Sequence, residues 1–427
     1  MARFSRRDFL LGSAAGLALA TLPFGRRAVR AQAAPRAKRN LIIIMAGGGW
    51  DVTYALDPKP DLSTIDAPQG QIQLFGDSPI FTDPSRPNVA DFFTRYGAMT
   101  AVVNGVQVQS IAHLQCRRRL LTGSRKTGSS DIGAITAHSL GRDLPVPYMV
   151  FGNTAFPGPL AGSSGRVGLT NQLKALLSPA EAYPPPAGSP NNRFTPEASD
   201  EDLIRQYVRG RAERTRATRG QLGYNQARID DFVAAMDRGD ALKPHVDALG
   251  PRGVTLALGQ QTMFAVDALS SGISHSVMVE DPQSWDTHTN NVQQNQLHNG
   301  LYGALIMLLG ELSSRPGKAA GSTMLDETVV MVSSEMSRTP LLNGAAGKDH
   351  WPSTSCLVIG NGVAGGRTYG GTDDSQNARL TDLRTGQPSA GGSALMAENV
   401  LAAILQLVGV DASSHMTEAE PLHALIA

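Results

Sequence analysis

Cysteine is nearly missing: Cys116 and Cys356 are the only two in 427 residues. Two are too few for a disulfide framework, so a packed core has to hold the fold. Aromatic residues are sparse at 5%, with three tryptophans in all. After the first two dozen residues no apolar run reaches the length that spans a bilayer. Neither sign of charge dominates, with 38 basic against 37 acidic residues. That balance argues against nucleic acid and against an anionic membrane surface as partners. No internal repeat is visible. Hydrophobic residues make up 41% of the chain, enough for a large core.

Basic charge does gather at the start. The chain opens MARFSRRDFLLG, with Arg6 and Arg7 side by side after Ser5 and before Phe9-Leu10. That is the box read by the twin-arginine translocase, which exports folded proteins. The apolar stretch from Phe9 to Phe24 is too short and too Gly-rich to make a good membrane span. Ala31-Gln32-Ala33 supplies a small-x-small cleavage site, with Arg26, Arg27 and Arg30 just before it. The reading is a signal over residues 1–33 and a mature chain over 34–427, periplasmic or secreted, with no membrane attachment after cleavage. Removing six Arg and one Asp with the signal leaves 32 basic and 36 acidic residues, a net charge of −4. Export in folded form raises the expectation of a metal or cofactor acquired before crossing.

Short apolar runs alternate with helical patterns. Residues 40–46, 100–104, 147–151, 275–280, 328–334 and 355–359 read as strands buried on both faces. Helical spacing falls near 88–96, 114–121, 130–141, 200–217, 224–237, 255–271, 292–313 and 395–408. In 292–313, Leu297, Leu301, Leu305, Leu308 and Leu312 share one face. The alternation predicts an α/β three-layer sandwich with a mainly parallel central sheet. Residues 174–240 read as a Pro-rich excursion leading into a helical insertion, and 370–393 as a long surface loop.

Ligands of parallel sheets sit beyond the carboxyl ends of the strands. Gly47-Gly48-Gly49-Trp50-Asp51 follows the first strand, Trp285-Asp286-Thr287-His288 a later one, and Glu335-Met336-Ser337-Arg338 another. Lys348-Asp349-His350-Trp351 comes shortly before the last. Acids and histidines in such places suit a divalent cation. Each alone reads as well as a turn or cap residue, and Asp286 could cap the helix near Val292. Together, with all three tryptophans beside them, they predict one shared pocket. Gly360-x-Gly362-x-x-Gly365 matches a dinucleotide fingerprint, but strand or loop follows it rather than a helix, so it reads as a turn.

The turn to Asp51, the W-D-T-H box at 285–288, S-E-M-S-R-T-P at 334–340 and D-H-W-P at 349–352 resemble the exported family labelled domain of unknown function 1501. That family is grouped with the alkaline phosphatase and sulfatase superfamily. The resemblance spans nearly the whole mature chain and implies an alkaline phosphatase-like fold with its site at the carboxyl edge of the sheet. It implies Asp51 as first metal ligand, Asp286 with His288 as a ligand pair, Glu335 at a later ligand position and His350 as the last histidine. The two-metal set is incomplete, which points to one cation. Residues 113–123, H-L-Q-C-R-R-R-L-L-T-G, resemble the sulfatase box C-x-P-S-R-x-x-x-L/T-T-G. Arg117, Thr122 and Gly123 match, while His113 stands where the nucleophile would. The same segment also reads as a helix ending in a glycine cap.

The leading expectation is a metal-dependent hydrolase of a phosphate or sulfate ester or related anionic group. Asp51, Asp286, His288, Glu335 and His350 would hold one divalent ion, Zn²⁺ or Mn²⁺ rather than Ca²⁺, with Asp349 orienting His350. Arg117 and Arg338 would neutralise a small anionic or glycan substrate. His113, kept neutral by its helix N-terminus, would be a ligand, a general base or a nucleophile, in that order, with Ser110 as the fallback nucleophile. The rival expectation is a non-catalytic envelope protein, stabilised by a metal, that binds a glycan or a protein partner.

Overall fold

The apolar run after Lys38 becomes strand β1 (Asn40–Met45), buried along its whole length. Its side chains alternate between two apolar clusters, Ile42 and Ile44 to one and Leu41, Ile43 and Met45 to the other. A strand covered on both faces has no polar side, which is why the run is continuous rather than alternating. In this computed structural model the described residues are 37–427, apart from 153, 169–170, 178–187, 189–196, 250–254 and 417. The signal and its cleavage site, and most of the Pro-rich excursion, lie outside the described residues.

Seven more strands join β1: β2 (Thr100–Gln107), β3 (Tyr148–Val150), β4 (Ser164–Arg166), β5 (Ser276–Glu280), β6 (Thr328–Ser333), β7 (Ser353–Gly360) and β8 (Arg367–Gly370). Their order is β8-β2-β7-β6-β1-β5-β3-β4. Neighbours are parallel except at β7, which runs antiparallel to both β2 and β6. The sheet is therefore mainly parallel, as the alternation implied. The region read as a loop at 370–393 contributes the end of β8 and a two-strand ladder of Leu380–Thr381 with Ser393–Ala394. The Gly360–Gly365 segment turns into β8 and opens no helix.

Helices α1 (Pro87–Tyr96), α2 (His113–Thr122), α3 (Ile132–Leu140), α5 (Ala198–Arg219), α6 (Gly223–Leu242), α7 (Leu258–Ser270), α8 (Gln294–Ser314) and α9 (Ala397–Val408) follow the predicted pattern closely, and a short helix α4 (Gln172–Leu177) is added that the sequence pattern did not predict. Phe92 of α1, Val266 of α7 and Leu301, Leu305, Leu308 and Leu312 of α8 pack on one face of the sheet. Leu120 of α2, Ile135 of α3 and Leu401 and Leu405 of α9 pack on the other. Each fully buried leucine contributes about 1.5–3 kcal/mol. The insertion forms the hairpin α5–α6, pinned by surface pairs such as Arg205–Asp240 at 3.0 Å, which add little stability. Among the described residues no helix is long and apolar enough to cross a membrane.

This topology gathers chemistry at one edge. Asp51 follows β1, Asp286 follows β5 and Glu335 follows β6. Because β7 runs the other way, the residues before it, Asp349 and His350, arrive at the same edge.

Candidate metal centre

Beyond β1 the chain makes a glycine turn that only glycine allows. Gly48 has φ +130°, and a Cβ there would meet the backbone nitrogen of Asp286 at 2.5 Å. The close approach lets the Gly48 N–H donate to both carboxylate oxygens of Glu335, at 3.0 and 3.1 Å. Glu335 has no exposed surface. It also accepts from His113 Nδ1 at 2.9 Å and from Arg117 Nε at 3.2 Å.

Three imidazoles are held in the same way. His113 donates its Nδ1–H to Glu335. His288 donates its Nδ1–H to Asp349 at 2.8 Å, and His350 donates its Nδ1–H to the carbonyl of Ile111 at 2.8 Å. Each outward acceptor fixes the tautomer and leaves Nε2 as the free lone pair. All three Nε2 atoms turn toward Asp286. His288 and His350 lie 3.2 Å from its Oδ1, and His113 lies 3.5 Å from its Oδ2. His288 Nε2 and His350 Nε2 are themselves 2.9 Å apart. Lone pairs facing one another and a carboxylate repel unless a proton or a metal cation sits among them. Ligand atoms of His113, Asp286 and His350 all fall within 4.8 Å of one another. A tetrahedral zinc with bonds of about 2.0–2.2 Å separates its ligands by about 3.3 Å. The donor set and spacing fit a divalent ion.

Electrostatics agree with that demand. Burial opposes ionisation of Asp286, yet the hydrogen bond from the Arg338 guanidinium holds its carboxyl below the ordinary range. Burial likewise works against the Glu335 carboxylate, and His113 with Arg117 outweigh it. The hydrogen bond to Glu335 raises the pKa of His113. The helix N-terminus alone was expected to keep this ring neutral. A full carboxylate charge at 2.9 Å outweighs the partial charge of a helix end.

Other expected site residues stand elsewhere in the network. Asp51, expected as a ligand, has no exposed surface and lies 2.8 Å from the ammonium of Lys348. Arg117 bridges Glu335 and Glu280, the latter at 2.6 Å. Arg338 is fully buried; it donates to the carbonyls of Gly48, Gly49, Trp285 and Lys348 and to Asp286. Both arginines hold the site's own groups. Asp349 holds His288 rather than His350. Asp286 caps no helix, since the turn before α8 starts at Asn291. Ser110 bonds Gln115 and the Ala112 N–H. Trp50 and Trp285 are fully buried around His298, with ring centroids 6.2 and 5.0 Å from it, so they form floor rather than pocket wall. Cys116 and Cys356 are buried free thiols. Sequence reasoning missed Lys348, Glu280 and the Ile111 carbonyl. A backbone acceptor carries no sequence signal, and a lysine between Gly347 and Asp349 reads as surface.

The profile of a family described as Protein of unknown function (DUF1501) matches residues 38–419. Comparison with curated proteins gives no match. Solved structures give low-similarity matches. A protein in the alkaline phosphatase superfamily from Vibrio parahaemolyticus has TM-score 0.42 and 10% identity, over 90% of this chain and 71% of that one. A sulfatase from Pseudoalteromonas sp. has TM-score 0.37 and 11% identity, over 91% and 72%. A lipooligosaccharide phosphoethanolamine transferase from Neisseria meningitidis has TM-score 0.41 and 9% identity, over 95% and 63%.

Proposed function

We propose a metal-dependent hydrolase for this chain, which belongs to the family described as Protein of unknown function (DUF1501). Its substrate would be a phosphate or sulfate ester or a related anionic group, with or without a glycan. One observation carries the reading: three imidazoles, each held at Nδ1 by an acceptor, turn their Nε2 atoms onto the half-open carboxylate of Asp286. His113, His288, His350 and Asp286 would hold one divalent cation. Three imidazoles and one carboxylate suit Zn²⁺ or Mn²⁺ better than Ca²⁺. A cation there supplies Lewis-acid polarisation of an ester oxygen and acidifies water. The protein's own groups orient it. Glu335, Asp349 and the Ile111 carbonyl aim the three rings, Arg338 fixes Asp286, and Arg117 fixes Glu335.

The test is metal analysis of protein purified from the periplasm, with turnover of aryl phosphate and aryl sulfate in added Zn²⁺, Mn²⁺ or Ca²⁺. About one equivalent of Zn²⁺ or Mn²⁺ and turnover that a chelator abolishes are expected. A metal-free protein without turnover would sink the reading. Export is part of the same proposal, through Arg6-Arg7 and cleavage after Ala33. Arg6→Lys with Arg7→Lys should leave an uncleaved precursor in the cytoplasm. Normal periplasmic yield of that variant would remove the translocase from the account.

A second reading is favoured by one specific observation. Arg117 and Arg338 are committed to the protein's own carboxylates and carbonyls, which leaves neither guanidinium to meet a substrate anion. On that reading the cation stabilises an envelope protein that binds a glycan or a protein partner. Full metal occupancy with no turnover of either ester class would select it.

A further inference from the structure

Asp51 and Lys348 are both fully buried, and the Lys348 ammonium lies 2.8 Å from Asp51 Oδ2. No hydrogen bond to another acceptor serves the ammonium among the described residues. The same carboxylate accepts from Thr53 N at 3.1 Å, Thr53 Oγ1 at 2.7 Å and Asn291 Nδ2 at 2.8 Å. Its charge is therefore fully met by the chain. A divalent cation at Asp51 would have to share a closed space with an ammonium already in contact. Two like charges in one dry pocket repel strongly. Asp51 thus does not fit a metal position.

The pair's place in the network says what it does. The Lys348 N–H donates to the Thr287 carbonyl at 3.0 Å, and the Lys348 carbonyl accepts from Arg338 at 3.0 Å. The next two residues are Asp349, which aims His288, and His350. On the other side, Asp51 N–H donates to Gln294 Oε1 at 3.0 Å, and Asp51 O accepts from His298 Nε2 at 3.1 Å. The ion pair therefore joins the end of β1 and the start of α8 to the segment that delivers two of the site's residues.

We propose that the Lys348 ammonium is a built-in cation that takes the place of a metal at Asp51. Asp51 and Lys348 are then positioning residues that lock segment 348–350, and the metal centre holds a single ion. The mononuclear part rests on the metal reading given above; the lock does not.

The test compares wild type, Asp51→Asn, Lys348→Met and the double variant. The readouts are thermal unfolding, bound Zn²⁺ per chain and the absorption spectrum of the Co²⁺-loaded protein. Each single change leaves one buried charge without its partner. Each should lower the unfolding midpoint by roughly 4–6 °C. The double variant should recover most of that loss, bind one equivalent of Zn²⁺ and keep the wild-type Co²⁺ spectrum. Two equivalents of Zn²⁺ in wild type would overturn the proposal. So would a double variant that loses the metal or unfolds no later than the singles. If neither single variant accumulates folded, the double decides alone. Folded with one equivalent and an unchanged spectrum, it carries the proposal; unfolded or metal-free, it overturns it. A wild type that binds no metal at all strikes the hydrolase reading, while recovery in the double variant still decides the lock.

Discussion

Asp286 and Asp51 both follow strands that end at one edge of the sheet, yet their charges are met in opposite ways. The Asp286 side chain is about a third exposed and faces three imidazole lone pairs and one arginine. Asp51 has no exposed surface and faces an ammonium, two N–H donors and a hydroxyl. An open carboxylate among lone pairs leaves a place for an exchangeable cation. A closed one has to carry its cation in the sequence, because an uncompensated buried charge costs several kcal/mol. On the proposed function, the same residue type at the same kind of position would thus be a ligand or a structural anchor according to what the neighbouring loop brings to it. The histidines nearby divide likewise. His113, in the open region, has its pKa raised by Glu335, whereas burial pushes His298, beneath Asp51, down to about 3.

The comparison can be broken most sharply at Asp286. Asp286→Asn keeps an acceptor for Arg338 and removes the charge. Affinity for Zn²⁺, measured by competition with a coloured chelator, should fall by more than about 100-fold. Unchanged affinity would show that the two aspartates do not differ in role. A smaller effect is expected one step out. Asp349→Asn leaves every ligand in place but weakens the acceptor that aims His288. Affinity should fall by roughly 10–100-fold, with the protein as stable as before. If His350 rather than His288 loses its ligand behaviour in that variant, the assignment of Asp349 is wrong.

The closed region is sharpened by pH. The folded pKa of His298 lies at about 3, below the ordinary 6.5. Below pH 6.5 the unfolded chain takes up a proton there and the folded chain does not. The stabilising effect of the buried neutral ring is therefore complete above pH 6.5 and fades as pH falls toward 3. Between pH 7 and pH 4.5 this one group should cost about 2–3 kcal/mol. Denaturant unfolding of His298→Gln, which keeps a donor for the Asp51 carbonyl, should show a pH slope shallower than wild type by that amount. An identical slope would mean that the ring is protonated or reached by water.

Much of this was legible in the sequence, for identifiable reasons. Strands β1, β5 and β6 are buried on both faces, so their residues form unbroken apolar runs. The α8 leucines repeat at helical spacing because they cover one face of the sheet. The turn at Gly47–Gly49 and the box around Asp286 and His288 stood out because such residues at strand ends have few other uses. Direction was not legible, since an apolar run reads alike for a parallel and an antiparallel strand, and β7 is antiparallel. Nor was the pairing of Asp349. His350 and Trp351 form a short strand against Ser337 and Arg338. Adjacent side chains on extended backbone point to opposite sides, so Asp349 reaches a ring other than its neighbour's. Lys348 was hidden because its burial depends on Asp51, almost three hundred residues away in the sequence.

Antiparallel β7 has one more consequence. Residues 334–352 leave the sheet from β6 and return into its immediate neighbour, so the excursion is closed at its base. It is zipped again partway out, where His350 pairs with Arg338. Glu335, Arg338, Lys348, Asp349 and His350 all ride on it. At its tip Leu341 and Leu342 are exposed and a Cβ placed on Gly344 would meet open space, while neighbouring residues are tied down, Leu342 N–H to Asp66 and Asn343 Nδ2 to the His288 carbonyl. The excursion is in effect a cartridge. Exchanging it would replace His350, Arg338 and Lys348 in one step, and added residues would find room at Gly344, beside the tied positions, where they would extend the rim.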